Sequence, residues 1–148
     1  MSGPPDLRTQ APRRWNDRIA GILWLARLID KTRAFEAGTL GVYLLGQSPV
    51  DEEFLTAAAV DYQSLREVVR AAPDDAAVLV EIERRSPGAT ARLQAWSAKP
   101  SLLSRAVFTL IDADEGHAHG AARILGLIPQ GTYKLTSALL RRIAPLRP

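Results

Sequence analysis

Residues 17–37, DRIAGILWLARLIDKTRAFEA, form the strongest predicted element of the chain. On a helical wheel their large apolar side chains cover most of the circumference, and a helix that is apolar nearly all round usually lies at the centre of a domain. Asn16 or Asp17 can cap its start, and Gly38 can end it. The only strip that we expect to face solvent carries Arg27 and Lys31. The pattern therefore predicts a buried central helix over about residues 17–37.

Shorter helices are predicted after this element from capping residues that precede apolar runs. The predicted helices cover about residues 49–58 after Ser48, 62–72 after Asp61, 75–85 after Asp74, a short stretch from Ser86-Pro87 to near Trp96, a stretch from Ser101 to about Ala113, and 133–143 after Thr132. Two glycines three apart predict a turn and at most a short extended piece near 39–44, and no segment alternates long enough for a sheet. The sequence thus predicts an all-α fold, a compact bundle of six to eight short helices around the central one.

The length of 148 residues favours a single domain. Residues 1–14 are rich in proline and arginine and lack periodicity, so we expect an N-terminal arm followed by one helical domain over residues 15–148. The chain has no cysteine, which excludes disulfides, thiolate zinc sites and cysteine nucleophiles and fits a reducing cytoplasm. No apolar stretch reaches the roughly 20 residues that a spanning helix requires, so we expect a soluble, cytoplasmic protein without a membrane partner.

The formal charge of +3 is unevenly distributed along the chain. Residues 1–50 carry seven basic and four acidic side chains, residues 51–100 carry six and nine, and residues 101–148 carry six and three. Oppositely charged surfaces of this kind favour contact within the chain, in a homodimer or with a protein partner.

An ordered series of short motifs lies in the first two thirds of the chain. The motifs are Asp6-Leu7, Pro12-Arg13, Leu28-Ile29-Asp30-Lys31 with Arg33-Ala34, Ala37-Gly38-Thr39-Leu40-Gly41 with Tyr43, and Pro49-x-Asp51 with Phe54-Leu55. Over about residues 6–97 the chain resembles a family of small bacterial proteins known as a domain of unknown function (DUF 5069), and residues 98–148 form a predicted helical extension. Family members often have a histidine after the tyrosine and a cysteine before the proline, where this chain has Leu44 and Ser48. The resemblance implies a compact helical fold and no particular activity.

Asp30 and Arg33 are charged residues on the apolar side of the predicted central helix, three positions apart. A charge on a buried face must be paired, because an unpaired one costs several kcal/mol. One interpretation is therefore a buried Asp30–Arg33 pair, joined by Arg13 or Thr39, that fixes how the arm and the turn dock. The other is a pocket for an anion or small molecule whose walls include the residues Arg13, Asp30, Lys31, Arg33, Thr39 and Tyr43.

Two weaker patterns lie in the last third of the chain. Asp114, His117 and His119 are metal-ligand types, but histidines two apart do not share one helical face, and we expect an ordinary turn and no metal. The predicted helix over 133–143, with Lys134, Arg141 and Arg142, could contact nucleic acid, although an amphipathic helix packed on the core explains it as well.

No Walker loop, dinucleotide fingerprint, zincin motif or serine elbow occurs in the sequence. We therefore predict a non-enzymatic interaction or scaffold module that needs no cofactor. The alternatives are a small-molecule or anion-binding protein, including an enzyme, that uses residues 30–43, and a nucleic-acid-binding protein that uses the basic ends.

Overall fold

The computed structural model of the chain describes residues 3–117 and, beyond them, position 139 alone. Six helices lie in these residues: α1 (Leu25–Glu36), α2 (Pro49–Ala58), α3 (Tyr62–Ala71), α4 (Asp75–Arg85), α5 (Ala89–Ala98) and α6 (Leu102–Asp114). No strand occurs in the described part, which has one isolated antiparallel bridge between Ile19 and Ile22. The predicted all-α fold is therefore confirmed. The predicted helix over 133–143 lies outside the described residues except for Leu139, which is helical and 57% exposed.

Four of the predicted capping residues act as predicted. The side chains of Ser48, Asp61, Asp74 and Ser101 each accept a hydrogen bond from the backbone N–H three residues later. Such a cap satisfies one of the N–H groups that the first turn leaves without an intrahelical partner, and contributes about 1 kcal/mol. Helix α5 differs, because it begins only at Ala89, after Gly88 in a left-handed conformation, and the Glu83 carboxylate accepts from the Gly88 and Thr90 N–H groups instead of a capping side chain at Gly88.

The predicted start of the central helix at residue 17 is wrong, because α1 begins at Leu25. Ala20 and Gly21 have φ angles of 50° and 80° and lie between the two residues of the bridge. Two successive positive φ angles form a tight hairpin turn of the type I′ kind, which cannot be part of a helix. Trp24, directly before α1, also has a positive φ, of 69°, which a right-handed helix does not allow. A hairpin thus replaces the first two turns of the predicted helix.

Helix α1 is nevertheless the buried centre of the fold, and it ends where predicted. The Gly38 N–H donates to Phe35 O at 3.0 Å and the Thr39 N–H to Ala34 O at 2.7 Å, so the carbonyls of the last turn are satisfied. The predicted solvent-facing strip is wrong, since Arg27 is 1% and Lys31 2% exposed. Both cations are buried because acidic residues far along the chain pack against them.

The helices pack on one another in a continuous order. Helix α3 packs on α1 and on α4, α4 packs on α5, and α2 packs on both α5 and α6. The apolar core includes Trp24, Leu28, Phe54, Leu65 and Leu93, which are all fully buried. Helix α2 thus has one side in the buried core, and it also packs on α5 and α6.

The N-terminal arm lies against the turn that follows α1. The Leu7 N–H donates to Thr39 O at 2.9 Å, and the Leu7 side chain is 3% exposed. Gly41, with φ of 63°, lies so close to the arm that an added Cβ would meet Leu7 O at 2.8 Å. The left-handed glycine explains why the predicted extended piece near 39–44 forms no strand.

Candidate functional site

Three of the charged residues predicted at the site, Arg13, Asp30 and Arg33, form a chain of alternating charges with Asp75 on α4. The Arg13 backbone N–H and Nη2 donate to Asp30 at 2.9 and 2.8 Å, and Arg13 Nη1 donates to Asp75 Oδ2 at 2.6 Å. Arg33 Nη1 donates to Asp75 Oδ1 at 2.8 Å. Asp30 therefore pairs with Arg13 instead of directly with Arg33 as predicted, because Arg33 points to α4. The hydrogen bonds that Arg13 donates to Asp30 raise the pKa of Arg13 above its usual value.

Lys31 and Asp51 form a fully buried ion pair between α1 and α2. Lys31 Nζ donates to both carboxylate oxygens of Asp51, at 2.8 and 2.9 Å. Trp24 Nε1 and the Gly46 N–H donate to the same carboxylate at 2.8 and 2.9 Å. Burial lowers the pKa of Lys31, and the charge of Asp51 opposes that shift. We call Trp24, Lys31, Gly46 and Asp51 the closed network, since their polar groups satisfy one another.

Tyr43 contacts a second buried cation, Arg27. The Arg27 Cζ lies 5.6 Å from the centroids of both the Tyr43 and the Trp24 rings. Its Nη1 and Nη2 donate to Glu115 at 3.2 and 2.6 Å. Burial, together with the nearby charge of Glu115, raises the pKa of Tyr43 to about 12. The phenol is therefore neutral at physiological pH, which makes it unsuited to act as a base.

Thr39 holds the arm against the end of α1, because its Oγ1 donates to Pro5 O at 3.0 Å and lies 3.3 Å from Ala34 O. The four charged members of the predicted ligand site are likewise paired within the protein. Their role in ligand binding stays a prediction, while their observed contacts join the arm to α1, α2 and α4.

The weak metal candidates are not brought together. No group of three potential metal-binding side chains occurs among residues 3–117, and His119 lies outside the described residues. Asp112 instead accepts hydrogen bonds from Trp15 Nε1 at 2.9 Å and Arg14 Nη2 at 3.2 Å. Lys134, Arg141 and Arg142, which were considered for nucleic-acid contact, also lie outside the described residues.

A surface groove between α2, α5 and α6 is a candidate site that the sequence did not predict. It has a volume of about 450 Å³ and is lined by Pro49, Glu52, Glu53, Thr56, Ala57, Trp96 and Leu103. Its lining combines an aromatic ring, short apolar side chains and two carboxylates. Helix α2 separates the groove from the closed network, with Asp51 directed inwards and Glu52 exposed.

Glu53 fixes the geometry of the groove. Its carboxylate accepts hydrogen bonds from Trp96 Nε1 at 3.2 Å, Ser101 Oγ at 2.5 Å and Ser104 Oγ at 2.7 Å. Burial alone would raise the pKa of Glu53, but these hydrogen bonds lower it overall. Because the three donors lie on α5, on α6 and directly before α6, the carboxylate ties both helices to α2.

Two exposed leucines lie in the first turn of α6, and one of them, Leu103, lines the groove. Helix α6 buries Ser104, Phe108 and Ile111, and the Phe108 ring stacks on Trp15 with centroids 4.3 Å apart. Leu102 and Leu103 are 82% and 54% exposed. Neighbouring large apolar side chains that remain exposed beside a concave apolar surface are typical of a binding surface.

This groove could not be predicted from the sequence, because its residues come from three separate segments. Glu52 and Glu53 look like ordinary first-turn acids of α2, and Trp96 looks like a core residue. The two leucines directly after the Ser101 cap were the only local signal, and they look like the start of an apolar helix face.

In the described part of the chain, no helix is both long and apolar enough to cross a membrane. Comparison with curated proteins gives no match. The family described as "Domain of unknown function (DUF5069)" matches residues 9–107, which are more than half of the chain and include α1 to α5 and the first part of α6. The protein therefore belongs to the DUF5069 family.

Proposed function

We propose that this protein is a non-enzymatic interaction module that binds a basic amphipathic helix in the groove between α2, α5 and α6. The observation that carries the proposal is the combination of that groove with the exposed side chains of Leu102 and Leu103. An amphipathic helix that lays its apolar face into such a groove is a common mode of protein recognition.

The apolar part of the surface would supply the affinity. Covering a leucine side chain that is otherwise in water contributes about 1.5–3 kcal/mol. Trp96 offers a rigid wall, since its ring packs edge-on against Phe54 with centroids 5.9 Å apart and its Nε1 is bonded to Glu53. A preformed wall loses little conformational entropy when a partner binds.

The acidic part of the surface favours a basic partner. Glu52 is exposed at the groove, and residues 51–100 as a whole carry nine acidic against six basic side chains. Charge complementarity of this kind speeds association and rejects partners of the wrong sign. The groove therefore favours a helix with lysine or arginine beside its apolar face.

The internal pairing of the charged residues in the segment from Asp30 to Tyr43 also supports an interaction role over a ligand pocket there. Lys31 has both Asp51 oxygens within 2.9 Å and is 2% exposed. An external anion would have to displace a buried carboxylate, and uncoupling a buried pair costs about 3–5 kcal/mol.

A designed peptide tests the proposal directly. A fluorescein-labelled peptide of about 18 residues, leucine and lysine only and amphipathic at helical spacing, is titrated with the full chain while anisotropy is recorded. We expect binding that Leu103→Glu weakens by about tenfold or more, as expected for a central contact. Val80→Glu is the matched control, because Val80 is 69% exposed but lies on α4, outside the groove.

A scrambled peptide of the same composition, which has no apolar face, should bind neither protein. Equal affinity of the amphipathic peptide for the wild-type protein and Leu103→Glu would contradict the proposed site. Absence of binding to the wild-type protein and to every variant with an intact groove would contradict the proposed function.

A further inference from the structure

Residues 132–143, TYKLTSALLRRI, match the chemistry of the groove. At helical spacing, Leu135, Leu139, Leu140 and Ile143 share one side, and Lys134 and Arg141 lie on the other. The structure describes position 139 of this segment, where the backbone is helical and the leucine is 57% exposed. An exposed leucine on the apolar side of such a sequence pattern favours packing of that side on another surface.

The charges of the two surfaces are complementary. The segment 132–143 carries three basic side chains and no acidic one. The groove presents the exposed Glu52 together with Glu53. Leu103 in the groove lining and its exposed neighbour Leu102 supply apolar surface.

The length of chain between α6 and this segment allows both to belong to the same molecule. The groove lies at the first turn of α6, and α6 has 13 residues, so the return path along the helix is about 20 Å. The fourteen residues 118–131 can span up to roughly 46 Å when extended. A tethered segment within reach has an effective concentration of about millimolar at its site.

We infer that residues 132–143 dock in the groove of their own chain as a built-in competitor of the partner helix. The inference rests on the proposed function, because it takes the same groove as the site. A partner must then displace the segment, so the groove is open only to partners that bind more tightly than the tethered helix.

Cross-linking tests the docking without any partner. The chain has no cysteine, so Leu103→Cys with Leu139→Cys in the full chain gives two unique thiols. A short bismaleimide should join them within one molecule, seen as a monomer on denaturing gels with residues 103 and 139 linked in the peptide map. Val80→Cys with Leu139→Cys is the control pair and should link far less.

The other cross-linking outcomes overturn the inference. A covalent dimer from the first pair would assign the segment to the groove of a second copy. Equal yields from both cysteine pairs, or no link from either, would show that the segment does not dock in the groove.

Peptide binding separates this inference from the proposed function. Leu139→Glu should release the segment and tighten binding of the leucine–lysine peptide by about tenfold, whereas Ser137→Glu, on the polar side, should not. Equal peptide affinity of the wild-type protein and Leu139→Glu would leave the function standing and overturn the inference. An intramolecular cross-link without peptide binding by any variant would do the reverse.

Discussion

Two neighbouring acidic residues of α2 have opposite environments. Asp51 is fully buried in the closed network, where it accepts hydrogen bonds from Lys31, Trp24 and Gly46. Glu52 is exposed at the groove, beside apolar side chains that nothing in the described structure covers. The closed network has polar groups that are satisfied and unreachable, whereas the groove has apolar groups that are reachable and uncovered. The first arrangement stabilises a fold, and the second can bind a partner.

The largest expected effect comes from breaking the closed network. Lys31→Met leaves Asp51 buried without its cation and should lower the free energy of unfolding by about 3–5 kcal/mol. Urea denaturation followed by circular dichroism measures this. Adding Asp51→Asn should recover part of the loss, because the amide oxygen can still accept from Trp24 without a buried charge. A loss below about 1 kcal/mol in the single variant would show that the pair contributes little.

A smaller loss of stability is expected at Gly41, where the N-terminal arm packs against the turn after α1. Gly41→Ala combines a positive φ with a Cβ only 2.8 Å from Leu7 O and should destabilise the protein by about 1–3 kcal/mol. Gly38→Ala is the control, since Gly38 also has a positive φ, of 71°, but open space around it. Thermal unfolding of both variants separates the two contributions, and equal losses would mean that the arm does not press on Gly41.

The carboxylate of Glu53 supports the groove, so it should make the stability of the wild-type protein depend on pH. Glu53→Gln should remove that dependence. The folded pKa of Glu53 lies below its ordinary value of 4.5, so its contribution is present above that pH and is lost as pH falls through the folded pKa. Glu53→Gln should therefore be less stable than the wild type at pH 6, with a smaller difference at pH 3. Urea unfolding at both pH values checks this, and a constant difference would exclude a contribution from the ionised carboxylate.

The smallest effect on stability is expected at the exposed leucines. Leu102→Gln removes an apolar side chain that is 82% in water, so the free energy of unfolding should change by no more than about 0.5 kcal/mol. The same change should weaken binding of the amphipathic peptide. Leu93→Gln, at a fully buried site, is the contrasting control, and an equally large loss of stability in Leu102→Gln would instead show that Leu102 belongs to the core.

Local signals predicted the helices after α1 well. Ser48, Asp61, Asp74 and Ser101 act through hydrogen bonds within three residues, so their effect can be deduced from neighbouring sequence. The all-α fold, the family and the end of α1 followed from signals of the same local kind.

The errors arose where distant residues decide the outcome. Residues 17–24 are apolar at nearly helical spacing, yet Ala20 and Trp24 adopt positive φ because the hairpin packs on the rest of the fold. One tertiary contact there is the Leu23 N–H bonded to Ser97 Oγ at 2.9 Å. Lys31 was predicted to face solvent because a helical wheel of α1 cannot show Asp51, which lies on another helix.

The candidate site was half predictable. The sequence placed unusual charges in residues 30–43, and the structure places them in internal pairs. The groove needed the packing order of α2, α5 and α6, which no single segment contains. Apolar residues on a helix face do not reveal whether that face is covered, and Leu102 and Leu103 illustrate this point.

The burial of Arg27 has a consequence for the order in which the chain folds. Its partner Glu115 is 88 residues away, and Arg14 and Asp112 are 98 residues apart. During synthesis α1 is the first helix made, but its buried guanidinium finds its carboxylate only after the end of α6 has been made. Contacts of such sequence separation slow folding, so we expect slower refolding than in helical bundles whose contacts are mostly local. Arg27 is thus the side chain of α1 whose partner is made last, long after the Asp51 that pairs with Lys31.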